Sequence, residues 1–318
     1  MHDNPAAADR RIAPAGMEAD RPSPADRDRR RAAIAMLCAV AAFAAMDACL
    51  KLLSPHYPAL QVASLRGLVA LPIVLAWAMA TVGLRALARV HWRLHLLRGA
   101  LGVVFMTAFV YGLRTLPLST AYAITFVGPL LVTAMAVPLL RERVGPRRWT
   151  AIALGLVGVL VVLRPGGGGV GTLAGLAVLL ATVCYAAAVI TTRLLAQRDS
   201  AQALVFWFLA AIAVGAGLLA LPEWRPVRME HAGLLFGVAV AGTLGQVALT
   251  RAFSLGEASL VAPLEYTALL WVVGLDLALW GVLPDAATWT GAAIIVASGL
   301  YLLRRERVRP LKRAPGPH

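Results

Sequence analysis

Ten apolar stretches follow one another through this chain with only short connections between them, and most are long enough to cross a bilayer, which takes about 20 residues. We place them at Ala33–Leu53, Ala59–Ala80, Leu94–Leu113, Leu118–Leu140, Trp149–Leu163, Thr172–Thr192, Ala201–Leu221, His231–Phe253, Ala258–Gly281 and Ala286–Leu303. The chain is 60% hydrophobic and 14% charged, where soluble proteins average about 25% charged residues. Its mean hydropathy is +0.75. An all-α integral membrane fold with ten transmembrane helices is the expectation.

The net charge of +14 suggests nucleic acid until the basic residues are placed. They fall in tails and alternate connections: Arg29–Arg31, Arg85, Arg89, Arg93, Arg98, Arg141, Arg143, Arg147, Arg148, Arg193, Arg198, Arg251 and Arg304–Arg313. The opposite connections hold only Lys51, Arg114, Arg164, Arg225 and Arg228. This asymmetry puts both termini in the cytoplasm and makes the bilayer, not nucleic acid, the partner. Trp92, Trp149, Trp224 and Trp289 sit at span ends, as interfacial anchors do. Residues 1–31, rich in Ala, Pro, Asp and Arg, read as a disordered cytoplasmic tail, and residues 307–318 as a basic cytoplasmic one. The apolar run after Arg31 is too long for a signal peptide.

A glycine-rich linker at 165–171 separates two sets of five spans, residues 32–164 and 172–306. A shift of 140 positions lays Trp149-Thr150 on Trp289-Thr290 and Leu163-Arg164 on Leu303-Arg304. Five is odd, so the second set enters the membrane from the other side. Such inverted repeats place a site between the halves near the midplane.

The span Ala258–Gly281 carries two carboxylates, Glu265 and Asp276. Eleven residues at roughly 100° come about 20° past three turns, so one helical stripe holds both, about 16 Å apart. Charge in a span is costly and marks a substrate or proton site, or else a pair of neutralised structural acids. The repeat shift maps Thr125 onto Glu265. Tyr122, Pro129 and Thr133 share the Thr125 face, and Gly128-Pro129 marks a kink or a cavity wall. Asp47 and Arg66 come at similar depths in the first two spans, so they form an expected ion pair, with Asp47–Lys51 the competing i,i+4 pair. Thr243, Gln246 and Thr250 form a polar seam that joins helices or touches ligand. Gly155, Gly158, Gly291 and Gly299 mark close helix packing. Cys38, Cys49 and Cys184 lie in apolar runs without metal spacing, and the histidines fall in tails or near span ends. No Walker motif is present. No cofactor and no metal are expected, and no enzyme chemistry is visible.

Tyr111–Gly166, including YGLRTLPLSTAYAITFVGPLL, and Ala258–Glu306, including ASLVAPLEYTALLWVVGLDLALWG, resemble the two EamA modules of the drug/metabolite transporter superfamily. The resemblance covers roughly residues 32 to 306 and implies two inverted five-helix EamA repeats that move small metabolites without ATP. Met46–Gly67 is most similar to the bacterial group described as riboflavin or S-adenosylmethionine carriers. Leu140-Arg141-Glu142-Arg143 departs from the usual L-G-E-R of the family by arginine for glycine. The resemblance implies a multi-pass protein of the bacterial inner membrane, a monomer or homodimer, with a small-molecule substrate. Asp47, Arg66, Tyr122, Thr125, Gln246, Glu265, Tyr266 and Asp276 are the expected lining or gating residues, with Glu265 as the proton-coupling group. An uncoupled facilitator or exporter is the alternative, and a membrane-embedded enzyme or receptor the alternative of another class.

Overall fold

A computed structural model describes residues 24–140, 145–164, 170–255 and 261–307. Every regular element among them is helical. Nine of these helices are long and apolar enough to cross a membrane, and the tenth expected span contains a shorter apolar helix, Ala286–Leu302. The chain is a multi-pass membrane protein. Helix is the secondary structure such residues must adopt, because lipid offers no partner to backbone N–H and C=O groups.

In chain order the helices are α1 (Pro24–Leu53), α2 (Ala59–Thr81), the short α3 (Leu84–Ala88), α4 (Trp92–Leu113), α5 (Leu118–Thr125), α6 (Gly128–Leu140), α7 (Pro146–Leu163), α8 (Val170–Leu195) and α9 (Ala201–Ala211). Then come α10 (Gly217–Ala220), α11 (Ala232–Leu255), α12 (Ala268–Trp280) and α13 (Ala286–Arg307). We term the end that holds Pro24 and Arg307 proximal, and the end that holds Leu53 and Ala59 distal. The first helix begins at Pro24, inside the expected tail, since proline is tolerated in a first helical turn. The remainder of that tail, the 165–169 stretch of the linker, Arg141–Arg143 and residues 308–318 lie outside the described residues.

Three spans depart from one regular helix. The fourth divides into α5 and α6 at Phe126-Val127, where Pro129 has no N–H for the Thr125 carbonyl. The seventh passes through a π-helical turn, Ile212–Ala216, between α9 and α10. Ser64 of α2 donates to the Ala213 carbonyl of that turn at 2.7 Å. The ninth contains a 3₁₀ turn, Ala262–Thr267, before α12. A 3₁₀ turn advances about 120° per residue against about 100° for the α-helix, so its last two or three steps turn Glu265 about 40–60° further from Asp276 than one regular helix would place it.

The packing glycines behave as the sequence indicates at α7 and α13. A Cβ on Gly158 would stand 2.9 Å from the Gly291 carbonyl oxygen, and one on Gly291 would stand 2.6 Å from that of Gly158. The two backbones therefore touch, in the manner of small-residue helix pairs in lipid. Gly299 has a different neighbour: the Tyr266 side chain lies directly over it.

The broken spans are arranged unequally along the membrane normal. Distally, α5 packs on α12, one from each repeat. Proximally, α6 turns to α8 and the 3₁₀ turn to α1. The fourth and ninth spans thus meet at the distal end and part toward the proximal end, with Phe126 against Tyr266 at the crossing, ring centroids 5.1 Å apart.

Candidate functional site

Three groups of polar side chains follow this crossing from the distal end inward. The outermost centres on Asp276, which α12 carries to the start of α5. A helix start presents N–H groups with no partner in their own helix. Asp276 is fully buried and accepts from the Leu118 N–H at 2.9 Å, the Ser119 N–H at 2.8 Å and the Ser119 hydroxyl at 2.7 Å. Lys51 Nζ lies 3.4 Å from the same carboxylate and 4.3 Å from the centroid of the Trp280 ring. A carboxylate there satisfies the orphan donors and faces the positive end of the helix dipole. Asp276 therefore cross-links the two repeats.

The second group corrects the expected Asp47–Arg66 and Asp47–Lys51 pairs. Neither forms. Tyr122 takes Asp47 with a 2.7 Å hydrogen bond, and Lys51 turns to Asp276. Arg66 remains within electrostatic range of Asp47 and Tyr122, and its Nη1 lies 2.7 Å from Met106 Sδ. A thioether is a weak acceptor, so most of the guanidinium hydrogen-bonding capacity is uncommitted.

The third group surrounds Glu265. Among the described residues its carboxylate has no hydrogen-bond or ion-pair partner, and it is partly buried. It lies within electrostatic range of Tyr185 and Tyr266. Tyr122 meets Phe126 at 6.1 Å, and Phe105 meets Tyr185 at 5.7 Å between ring centroids. Gly128, at the break, lies beside the Tyr185 ring of α8, which a Cβ there would meet at an ordinary contact distance of 3.6 Å. Tyr185, Phe126 and Phe105 are not among the residues that the sequence singles out. A lone tyrosine in the aliphatic sixth span was the available signal.

Threonine hydroxyls at and near two further expected site residues, Thr125 and Gln246, bond within their own helices. The Thr125 hydroxyl bonds back to the Ala121 carbonyl at 2.9 Å. In the seam around Gln246, Thr243 and Thr250 bond to the Ala239 and Gln246 carbonyls of their own helix at 2.8 Å. Threonines back-bonded in this way do not join α11 to its neighbours. Among the described residues no group of three or more His, Cys, Asp or Glu is placed to hold a metal ion.

A pocket of about 450 Å³ lies away from these groups at the distal end, lined by Thr120, Arg164, Thr172, Asp285 and Thr288 among others. Its charges are mutually engaged. Arg164 pairs with Asp285, which also accepts from the Thr288 N–H at 2.8 Å. That N–H first, with Arg164 after it, holds the Asp285 carboxyl below its ordinary 3.8.

At the proximal end Asp199 joins two connections. It accepts from the His91 N–H at 3.1 Å and lies 2.9 Å from both His91 Nδ1 and His95 Nε2. Burial opposes its ionised form, but the His91 and His95 hydrogen bonds outweigh that and hold its carboxyl below 3.8. A carboxyl depressed in the fold contributes stability above its unfolded pKa and loses it as pH falls through the folded one. Asp199→Asn should therefore lower the amide protection of 91–95 and 196–199 at pH 7, where the carboxylate is ionised, as hydrogen exchange would read. Protection unchanged by the substitution would contradict this assignment.

A family model described as "EamA-like transporter family" matches residues 30–164 and 172–304. The chain is 29% identical over 270 residues to a protein named pseudopaline exporter CntI from Pseudomonas aeruginosa, covering 83% of this chain and 93% of that one. It is 30% identical over 281 residues to a riboflavin transporter from Vibrio cholerae, covering 86% and 93%. An S-adenosylmethionine uptake transporter from Rickettsia bellii is 29% identical over 213 residues, covering 67% and 73%. A solved crystal structure superposes with a TM-score of 0.59 at 20% identity over 89% of this chain and 99% of that one, a likeness of fold.

Proposed function

The chain belongs to the EamA-like transporter family, and from that premise we propose that it moves a small organic metabolite by alternating access, coupled to protons through Glu265. The observation that carries this reading is the unequal closure of the crossing. The fourth and ninth spans are tied at the distal end by Asp276 and part proximally, where Glu265 has no partner among the described residues. A carboxylate held at that depth without a partner is suited to water, a proton or a ligand. Rocking one repeat against the other would transfer access from the proximal side to the distal one.

The positive-inside rule supports a cytoplasmic proximal end. Arg85, Arg89, Arg93, Arg147, Arg148, Arg193 and Arg198 are proximal, against Lys51, Arg114, Arg164, Arg225 and Arg228 distally. A cysteine in place of Val227, exposed at the distal end, should then react with an impermeant reagent in intact cells. One in place of Arg89 should react only after permeabilisation. Inverse labelling would reverse the orientation. The named relatives carry chemically diverse solutes in both directions, so a metabolite-uptake screen belongs in vesicles containing the purified protein. Accumulation should require an imposed pH gradient. Equal accumulation with and without that gradient would replace the coupled mechanism by a facilitator.

A further inference from the structure

The charged groups of the central site stand at opposite ends of a row of rings. On one side is Arg66, of the first repeat, within electrostatic range of Tyr122. Tyr122 leads to Phe126 at 6.1 Å, and Phe126 to Tyr266 at 5.1 Å, both edge to face. Tyr266 adjoins Glu265, of the second repeat. The two charges differ from the other membrane-embedded ions of the chain. Lys51 and Asp276 neutralise each other, and Asp47 is held by Tyr122. Arg66 directs its hydrogen bond to a thioether, and Glu265 has no protein partner among the described residues. Each is a charged group with hydrogen-bonding capacity to spare in a setting where charge is expensive.

Resting on the transport reading above, we propose that this site takes a flat, ring-bearing metabolite with an acidic group at one end, held by Arg66, and a basic group at the other, held by Glu265. Guanidinium is the side chain best matched to a planar carboxylate or a phosphate. The faces and edges of Tyr122, Phe126 and Tyr266 suit a ring by edge-to-face and offset contact. The Glu265 carboxylate suits an amine or a quaternary nitrogen, and neighbouring tyrosine rings add cation–π attraction for the same group. Asp47, within electrostatic range of Arg66, lowers the local positive charge, so the Arg66 end favours a single negative charge over a polyphosphate.

Equilibrium binding to the purified full-length protein in detergent, with no gradient, tests this with four probes. 4′-(Aminomethyl)biphenyl-4-carboxylate has its charges at opposite ends of two rings, a length suited to the 6.1 and 5.1 Å ring steps; 4-phenylbenzylamine has only the cation, 4-phenylbenzoate only the anion, and 4-phenylphenylalanine both charges at one end. The two-ended probe should bind tightest, by about tenfold over each of the others, the change expected when one charge-assisted hydrogen bond is lost. Glu265→Gln should reduce its affinity to that of 4-phenylbenzoate. Arg66→Gln should reduce it to that of 4-phenylbenzylamine, while Arg66→Lys, which retains the charge, should recover part of the loss and guards against misfolding. 4-Phenylbenzylamine or 4-phenylphenylalanine binding as tightly as the two-ended probe would overturn the proposal, as would absence of binding by all four. A protein that ranks the probes as stated but moves none of them across vesicles keeps this site and loses the transport reading. One that transports metabolites yet ranks them otherwise loses only the site.

Discussion

Asp276→Ala should destabilise the protein by about 3–5 kcal/mol, the range for removing one partner of a buried ion pair. The substitution leaves Lys51, itself 12% exposed, with an uncompensated charge. It also uncaps α5, where the Leu118 and Ser119 N–H groups lose their acceptor. Loss of a helix cap costs about 1 kcal/mol, so the ion-pair contribution dominates. Lys51→Met should cost less, because Asp276 would retain its three hydrogen bonds to α5. Asp276→Asn should fall between, since an amide oxygen still accepts from the backbone but carries no charge. Thermal unfolding of the purified variants in detergent orders them. Asp276→Ala unfolding at the parent temperature would show that the distal cross-link contributes little.

Glu265→Gln should give the opposite pattern: a folded protein that no longer concentrates its substrate. No native hydrogen bond to another described residue is lost, because the carboxylate makes none. Glutamine keeps the size and polarity but cannot carry a proton between sides. Accumulation driven by a pH gradient should disappear, while exchange at saturating substrate should persist if binding is weakened but not abolished. The parent should lose accumulation when the gradient is collapsed, whereas the variant should be indifferent to it. A variant that accumulates like the parent across a pH series would make Glu265 a structural residue. The two carboxylates of one span are thus separated by measurement: Asp276 by stability, Glu265 by transport.

The sequence by itself determined the number and position of the membrane crossings. It also identified the helix contact at Gly158 and Gly291 and the break at Gly128-Pro129. These are local properties. Bilayer insertion is decided by about 20 consecutive residues, a proline withholds its N–H wherever it lies, and a glycine carries its lack of Cβ with it. The membership of the charged groups in one span could be read, but their partners could not. Lys51 has Asp47 one helical turn away and yet goes to Asp276, 225 positions on. Asp47 goes to Tyr122, 75 positions on, and the 3₁₀ turn rotates Glu265 away from Asp276. Which acid is neutralised and which is left open is settled by the approach of helices from different repeats. Pair energies in a low-dielectric interior depend on ångström distances, to which spacing along the chain gives no access.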